Sequence, residues 1–131
     1  MADLPSPLVD LVGPLQWYEL TEGTAVVLQN TLTITAAGTT QLPTLTGTFQ
    51  SVYVDAPGDV TLLLPTTANL VAGQRWTVID TSDNANNNPI TLNGNGNLIN
   101  TGNGTSATFT LNIPNGSVTL EWNGTAFSLV A

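Results

Sequence analysis

From Pro89 onward the chain alternates short apolar and polar runs with Asn-Gly pairs at 93–94, 95–96, 103–104, 115–116 and 123–124. Asn and Gly both tolerate the positive φ angles that primed two-residue turns demand. An Asn-Gly pair between alternating runs is therefore the strongest short-range hairpin signal a sequence offers. The runs themselves are 89–93, 107–113, 117–122 and 125–130, each of strand length and each alternating with period two. A segment punctuated in this way is confined to compact antiparallel sheet.

Composition narrows the class further. A chain of 131 residues is long enough to bury one core, with little margin for a second. Hydrophobic residues make up 41%, which excludes disorder, but charged residues only 8%, where about 25% is usual. Twenty-two Thr and 14 Asn fill the place of Lys, Glu and Arg. Thr is β-branched and favours strands, and Asn favours turns. Both solvate a surface without ionic repulsion, which suits a protein packed among its own copies and equally a plain β-rich surface protein. The net charge is −8 and Arg75 is the sole basic side chain. Nucleic-acid binding draws its affinity from Lys and Arg against phosphate, so nucleic acid and anionic membranes are excluded as direct partners. There is no Cys, hence no disulfide or thiolate metal site. No apolar run reaches the length of a membrane span, and Met1–Pro5 lacks the basic start of a signal peptide. The expectation is a soluble chain made in the cytoplasm.

Residues 1–23 read as a separate N-terminal arm ahead of a β domain at 24–131. Ser6 is suited to cap a short helix, Pro7 to its first position, Gly13 to its C-terminal end, and Pro14 forbids continuation. Leu4, Leu8, Leu11, Val12 and Leu15 fall on one helical face. A helix this short does not persist alone in water, so its apolar face must dock, either on its own sheet or on another protein. The sharper expectation is an arm that grips a partner through Leu4, Pro5, Pro7, Leu8, Leu11, Val12 and Leu15, anchored by Trp17 and Tyr18.

In the β domain, strands are predicted at 24–30 and 31–35 (or as one long strand), 49–55, 60–64 and 74–80, ahead of the Asn-Gly region. Eight to ten short strands in one domain suit an antiparallel sandwich or jelly roll. The predicted core is Val60, Leu62, Leu64, Trp76, Val78, Phe109, Leu111, Val118, Leu120, Trp122, Phe127 and Leu129. A β-solenoid is the competing architecture, hinted at by Asn93–Asn97, but no fixed period of 20 or more residues is visible.

Catalytic chemistry finds little footing. Without His, Cys or Lys the nucleophilic triads, the commonest metal ligands, Schiff bases and phosphate-binding P-loops are all absent. Carboxylate pairs remain, Asp55 with Asp59 or Glu121 with either, yet no motif frames them and turn or surface carboxylates are the default. Asp80, Asp83 and Asn84 offer oxygen ligands for calcium at a spacing that matches neither the EF-hand nor the Asp-bearing glycine-rich repeat, so a plain Asp-Asn connection is the simpler reading. The glycosylation patterns at 103–105, 115–117 and 123–125 are what Asn-Gly turns before Ser or Thr produce by chance. Trp76 and Trp122 lie on apolar faces and read as core, not as sugar-stacking platforms. Arg75, opposite Trp76, is expected to pair with a carboxylate. No catalytic residue, metal or cofactor is expected.

Four pieces of the chain, taken in order, carry a family resemblance. They are Asp59–Pro65 (DVTLLLP), Ala72–Asp80 (AGQRWTVID), Ile90–Asn100 (ITLNGNGNLIN) and Gly116–Phe127 (GSVTLEWNGTAF). In this order and spacing they resemble a β module of tailed-bacteriophage virion proteins, found in tail fibres and capsid appendages, over about residues 50–131. Each piece is low in complexity, so the likeness rests on order and spacing. The resemblance implies a virion structural role, usually as a homotrimer, and brings no catalytic residues. Fibres place the module after a long shaft that this sequence does not contain, whereas a short arm before one β domain suits a small clamp. The expectation is thus a capsid decoration (cement) protein on the outer surface of the virion. Its trimers would sit at local threefold positions, and its arms around Leu4–Trp17 would hold the major capsid protein. The alternative is a tail-fibre or receptor-binding module for host glycan, favoured if exposed aromatics flank loops such as 81–88 or 93–104. A polysaccharide hydrolase is the third class.

Overall fold

The computed structural model describes residues 30–130. The arm at 1–23 and the strand expected over 24–29 lie outside the described residues. What is described is all-β with almost no helix. Eleven strands run in chain order: β1 Asn30–Ile34, β2 Gly38–Gln41, β3 Phe49–Val54, β4 Val60–Leu63, β5 Arg75–Asp80, β6 Ile90–Asn93, β7 Ile99–Asn100, β8 Thr105–Ser106, β9 Thr108–Leu111, β10 Ser117–Trp122 and β11 Phe127–Leu129. A single 3-10 turn, Thr67–Asn69, interrupts them between β4 and β5. Two sheets result, one in the order β1-β3-β5-β10-β11-β7-β8 and the other in the order β2-β4-β6-β9.

The expected antiparallel sandwich is corrected to a β-solenoid-like arrangement. β1, β3 and β5 pair in parallel, and so do β2, β4 and β6. The physical reason lies in the connections. After each strand of the first sheet the chain crosses to the second, as at 35–37 and 55–59, and then returns. It therefore re-enters the first sheet from the same end, and successive rungs stack in parallel. The rungs differ in length. Asn30 pairs with Gln50 and Gln50 with Trp76, while Gly38, Val60 and Ile90 are partners in the second sheet. The insert around Thr67–Asn69 and the loop at 81–89 lengthen the third rung, so no constant period survives in the sequence.

From Pro89 onward the antiparallel reading holds in part. β9 runs antiparallel to β6, β10 to β5, β11 to β10 and β8 to β7, although β7 lies parallel to β11. Only two of the five Asn-Gly pairs close hairpins, 103–104 between β7 and β8 and 123–124 between β10 and β11. The pairs at 95–96 and 115–116 instead turn the chain from one sheet to the other, with Asn95 at φ 53°, Gly96 at 98° and Asn115 at 56°. Positive φ makes the sharp bend at every pair but 93–94, and whether the flanking strands then pair with each other depends on which sheet has room for them.

Period-two alternation sends one side of every strand inward. Gln50, Val52 and Val54 of β3, Trp76, Val78 and Asp80 of β5, and Val118, Leu120 and Trp122 of β10 are all buried. So are Val60 and Leu62 of β4, Ile90 and Leu92 of β6, and Leu111 of β9 in the second sheet. Trp76 meets Phe127 edge-on with centroids 5.7 Å apart, and Trp122 lies 5.0 Å from the same ring. The predicted core is buried as expected, with Phe109 and Leu129 partly buried against it; Ile34, Leu42, Leu45, Ala56, Ala85 and Ile99 extend it. Each fully buried Val, Leu, Ile or Phe among them contributes about 1.5–3 kcal/mol on burial.

Gly94 opens the corner after β6, and its N–H donates to the Ala107 carbonyl. A Cβ placed there would stand 2.0 Å from the Asn97 carbonyl oxygen, a backbone atom with no freedom to yield. Gly94→Ala is expected to destabilise the fold by about 2–3 kcal/mol, read as a lowered midpoint in denaturant titration with an unchanged slope.

Candidate interaction surface

The second sheet presents a row of threonines on its outer face. Thr39, Thr61, Thr91 and Thr110 are direct partners across β2, β4, β6 and β9. On the outer face of the first sheet Thr31, Ser51, Thr77 and Thr119 form the same kind of row across β1, β3, β5 and β10. Thr77 and Thr119 hydroxyls are hydrogen-bonded at 2.8 Å. The strands that carry such rows lie about 4.8 Å apart, close enough for neighbouring hydroxyls to meet. Beside the first row run Thr33, Tyr53, Ile79 and Ser117, again uncharged.

Among the described residues charge enters these faces at one place. Arg75 and Glu121 are partners across β5 and β10, with Nε and Nη2 of Arg75 at 2.9 and 2.8 Å from Glu121 Oε1. The expectation that Arg75 pairs with a carboxylate is met. Phe49, the next partner of Arg75 in β3, is exposed, as are Val71 ahead of β5 and Leu98 ahead of β7. These three apolar side chains therefore lie at one end of the first sheet, where β3, β5 and β7 begin. The chain enters the described body at Asn30, the β1 partner of Gln50, at that same end. The arm residues singled out from sequence, Leu4, Pro5, Pro7, Leu8, Leu11, Val12, Leu15, Trp17 and Tyr18, lie outside the described residues.

Loop 81–88 is organised by one buried carboxylate at the opposite end. Asp80 Oδ1 accepts from the Ser82 N–H (3.0 Å) and hydroxyl (2.6 Å). Its Oδ2 accepts from the N–H groups of Asn84, Ala85 and Asn115, each at 3.1 Å. Asn115 Nδ2 in turn donates to Asp83 Oδ1 at 3.0 Å, with Asp83 itself at φ 60°. Burial pushes the Asp80 carboxyl up, but the Ser82 hydroxyl and the Ser82, Ala85 and Asn115 amides together outweigh it and hold the group below its ordinary value. The oxygens of a possible calcium loop are thus engaged with N–H and O–H donors. Among the described residues no cluster of three or more acidic side chains is placed to hold a metal ion. This carboxylate is a clasp between loop 81–88 and the turn before β10.

The carboxylate pairs do not converge into a catalytic arrangement. Glu121 is level with Phe49 at the start of β3, and Asp55 follows the end of that strand, about 20 Å away along it. Asp55 and Asp59 are both exposed in the β3–β4 turn. A shallow groove of about 270 Å³ is lined by Gln41, Leu42, Pro43, Thr44, Pro65, Thr66 and Asn69, none of them ionisable. Sequence reasoning missed the hydroxyl rows. Their signal is Thr at alternate positions in Thr31–Thr33, Thr39, Thr61, Thr91 and Thr108–Thr110, and it becomes a row only once the register is known.

Because the Asp80 pKa is depressed on folding, its stabilising contribution is complete above the ordinary aspartate value of 3.8 and is lost as pH falls through the lower folded value. Asp80→Asn is expected to cost about 2–4 kcal/mol at neutral pH, since an amide presents donors to N–H groups that need acceptors. It should also flatten the acid limb of the stability–pH curve below pH 3.8; urea titrations across that range check both effects.

No protein-family model matches this sequence, and no curated protein matches it either.

Proposed function

We propose that this protein is a bacteriophage capsid decoration protein. It assembles as a homotrimer on the outer face of the shell and holds the major capsid protein through its N-terminal arm. The observation that carries the reading is the nearly uncharged outer surface of both sheets, broken only by Arg75 with Glu121 among the described residues, with hydroxyl rows at Thr39–Thr61–Thr91–Thr110 and Thr31–Ser51–Thr77–Thr119. Neutral, shape-defined faces of this kind pack against neighbours without desolvating charge, and burial of such area stabilises an assembly. The exposed Phe49, Val71 and Leu98 lie at the end of the first sheet at which the described residues begin with Asn30, and they add apolar surface to the body there. The sequence resemblance to phage virion modules supplies the biological setting. Glycan recognition by a tail-fibre module stands second, because loops 81–88 and 93–104 contain no aromatic residue on which a sugar would stack.

Cosedimentation with empty capsids tests the proposal, using the full chain and a variant lacking residues 1–20. The full chain is expected to sediment with capsids. Loss of the apolar arm should weaken that binding by roughly a hundredfold or more. Equal binding by both forms would remove the arm from the account, and binding to host cells without capsid affinity would establish the glycan reading in its place.

A further inference from the structure

The five Asn-Gly pairs share a chemical liability that the fold distributes unequally. We infer that Asn103 is the protein's site of spontaneous deamidation and isoaspartate formation. In this reaction the backbone nitrogen of the following glycine, having lost its proton to solvent base, attacks Cγ of the asparagine. The bond to the side-chain nitrogen breaks, ammonia leaves, and a succinimide ring forms. Water then adds to either ring carbonyl and opens it to aspartate or isoaspartate, with no change of oxidation state. Glycine favours the attack because it has no Cβ to obstruct the approach. Two things oppose it: a hydrogen bond that engages the glycine N–H, and contacts that fix the asparagine side chain.

Four of the pairs are held in one or both ways. The Gly94 N–H donates to Ala107 at 3.0 Å, and Asn93 Oδ1 accepts from the Asn95 N–H at 2.7 Å. Asn95 Nδ2 donates to Gln41 Oε1 and to the Leu64 carbonyl at 3.1 and 2.9 Å. The Gly116 N–H donates to Ile113 at 2.9 Å, and Asn115 Nδ2 to Asp83 at 3.0 Å. Asn123 Oδ1 accepts from the Thr125 and Ala126 N–H groups, both at 2.9 Å.

Asn103 and Gly104 differ on every count. Both are exposed at the tip between β7 and β8. Among the described residues neither the Asn103 side chain nor the Gly104 N–H has a hydrogen-bond partner; the Gly104 carbonyl instead accepts from the Thr101 N–H and hydroxyl. Gly102 and Gly104 have φ of 89° and 130°, and nothing lies within 4 Å of a Cβ position at either, so Asn103 is flanked by two unobstructed glycines. The product matters to the fold locally. β7 and β8 are two residues each, and isoaspartate inserts an extra methylene into the main chain of the loop that joins them.

The test is incubation of the folded full-length protein in mildly alkaline buffer, followed by peptide mapping with mass spectrometry and enzymatic isoaspartate methylation. Asn103 is expected to convert roughly tenfold faster or more than each of the other four. In denaturant the five rates should draw together, because the dipeptide is the same in all. Asn103→Gln should remove most of the early isoaspartate signal from the folded protein. Similar rates at all five sites in the folded state, an earlier conversion elsewhere, or an early signal that survives Asn103→Gln would overturn the inference.

Discussion

In-register parallel stacking is the constraint from which the other features follow. When β1, β3 and β5 lie parallel with Asn30, Gln50 and Trp76 level, every outward residue has a like-placed neighbour about 4.8 Å away on each side. Like charges directly opposite each other destabilise a sheet, so a row can be neutral or must alternate in sign. The molecule takes the first course almost everywhere. Threonine meets both needs of such a row, a β-branched stem for the strand and a hydroxyl for water or a neighbour. The one charged pair among the described residues, Arg75 with Glu121, occurs where β10 returns antiparallel to β5 and opposite charges become partners. Low charge is thus first a property of this architecture, and the neutral faces it leaves are then available for assembly.

A regular stack with rungs of unequal length needs its loops fastened, and buried polar groups do this. Gln74 donates to the Leu45 and Gly47 carbonyls and accepts from the Val71 N–H, tying the β2–β3 connection to the insert before β5. Asp80 gathers loop 81–88 and the turn ahead of β10 around one carboxylate. These two residues lie just before and at the end of β5, the strand that joins the parallel rungs to the antiparallel return. A buried group with its hydrogen bonds satisfied fixes geometry, and removing it leaves several N–H or C=O groups unpaired. The extra residues of the third rung are accommodated in this way without disturbing the register of the core.

Much of the fold was legible in the sequence for a definite reason. The side-chain period of a strand is local, so Val60, Leu62, Trp76, Val78, Val118, Leu120 and Trp122 announce their buried face to anyone reading alternate residues. Pairing direction is not local. Nothing between Val54 and Val60 says that β4 joins a different sheet from β3, and that crossing is what makes the rungs parallel. The Asn-Gly signal was correct about bends and mistaken about partners at 93–94, 95–96 and 115–116. The candidate surface suffered the same limit. Each threonine was visible, but the rows exist only in register. The Asp80 clasp was visible as an Asp-Asn loop, while its N–H donors come partly from Asn115, thirty-five residues away.

Parallel stacking with the threonines level is open to a direct covalent test. Directly level positions in neighbouring strands fall within the Cα separation of about 4.4–6.8 Å that a disulfide spans. With no native cysteine to interfere, Thr61→Cys combined with Thr91→Cys should oxidise readily in the folded protein, whereas Thr39→Cys with Thr91→Cys, two strands apart, should remain reduced. A Thr61–Thr91 pair that stays reduced, alongside rapid closure of the two-strand pair, would contradict the register and with it the neutral rows.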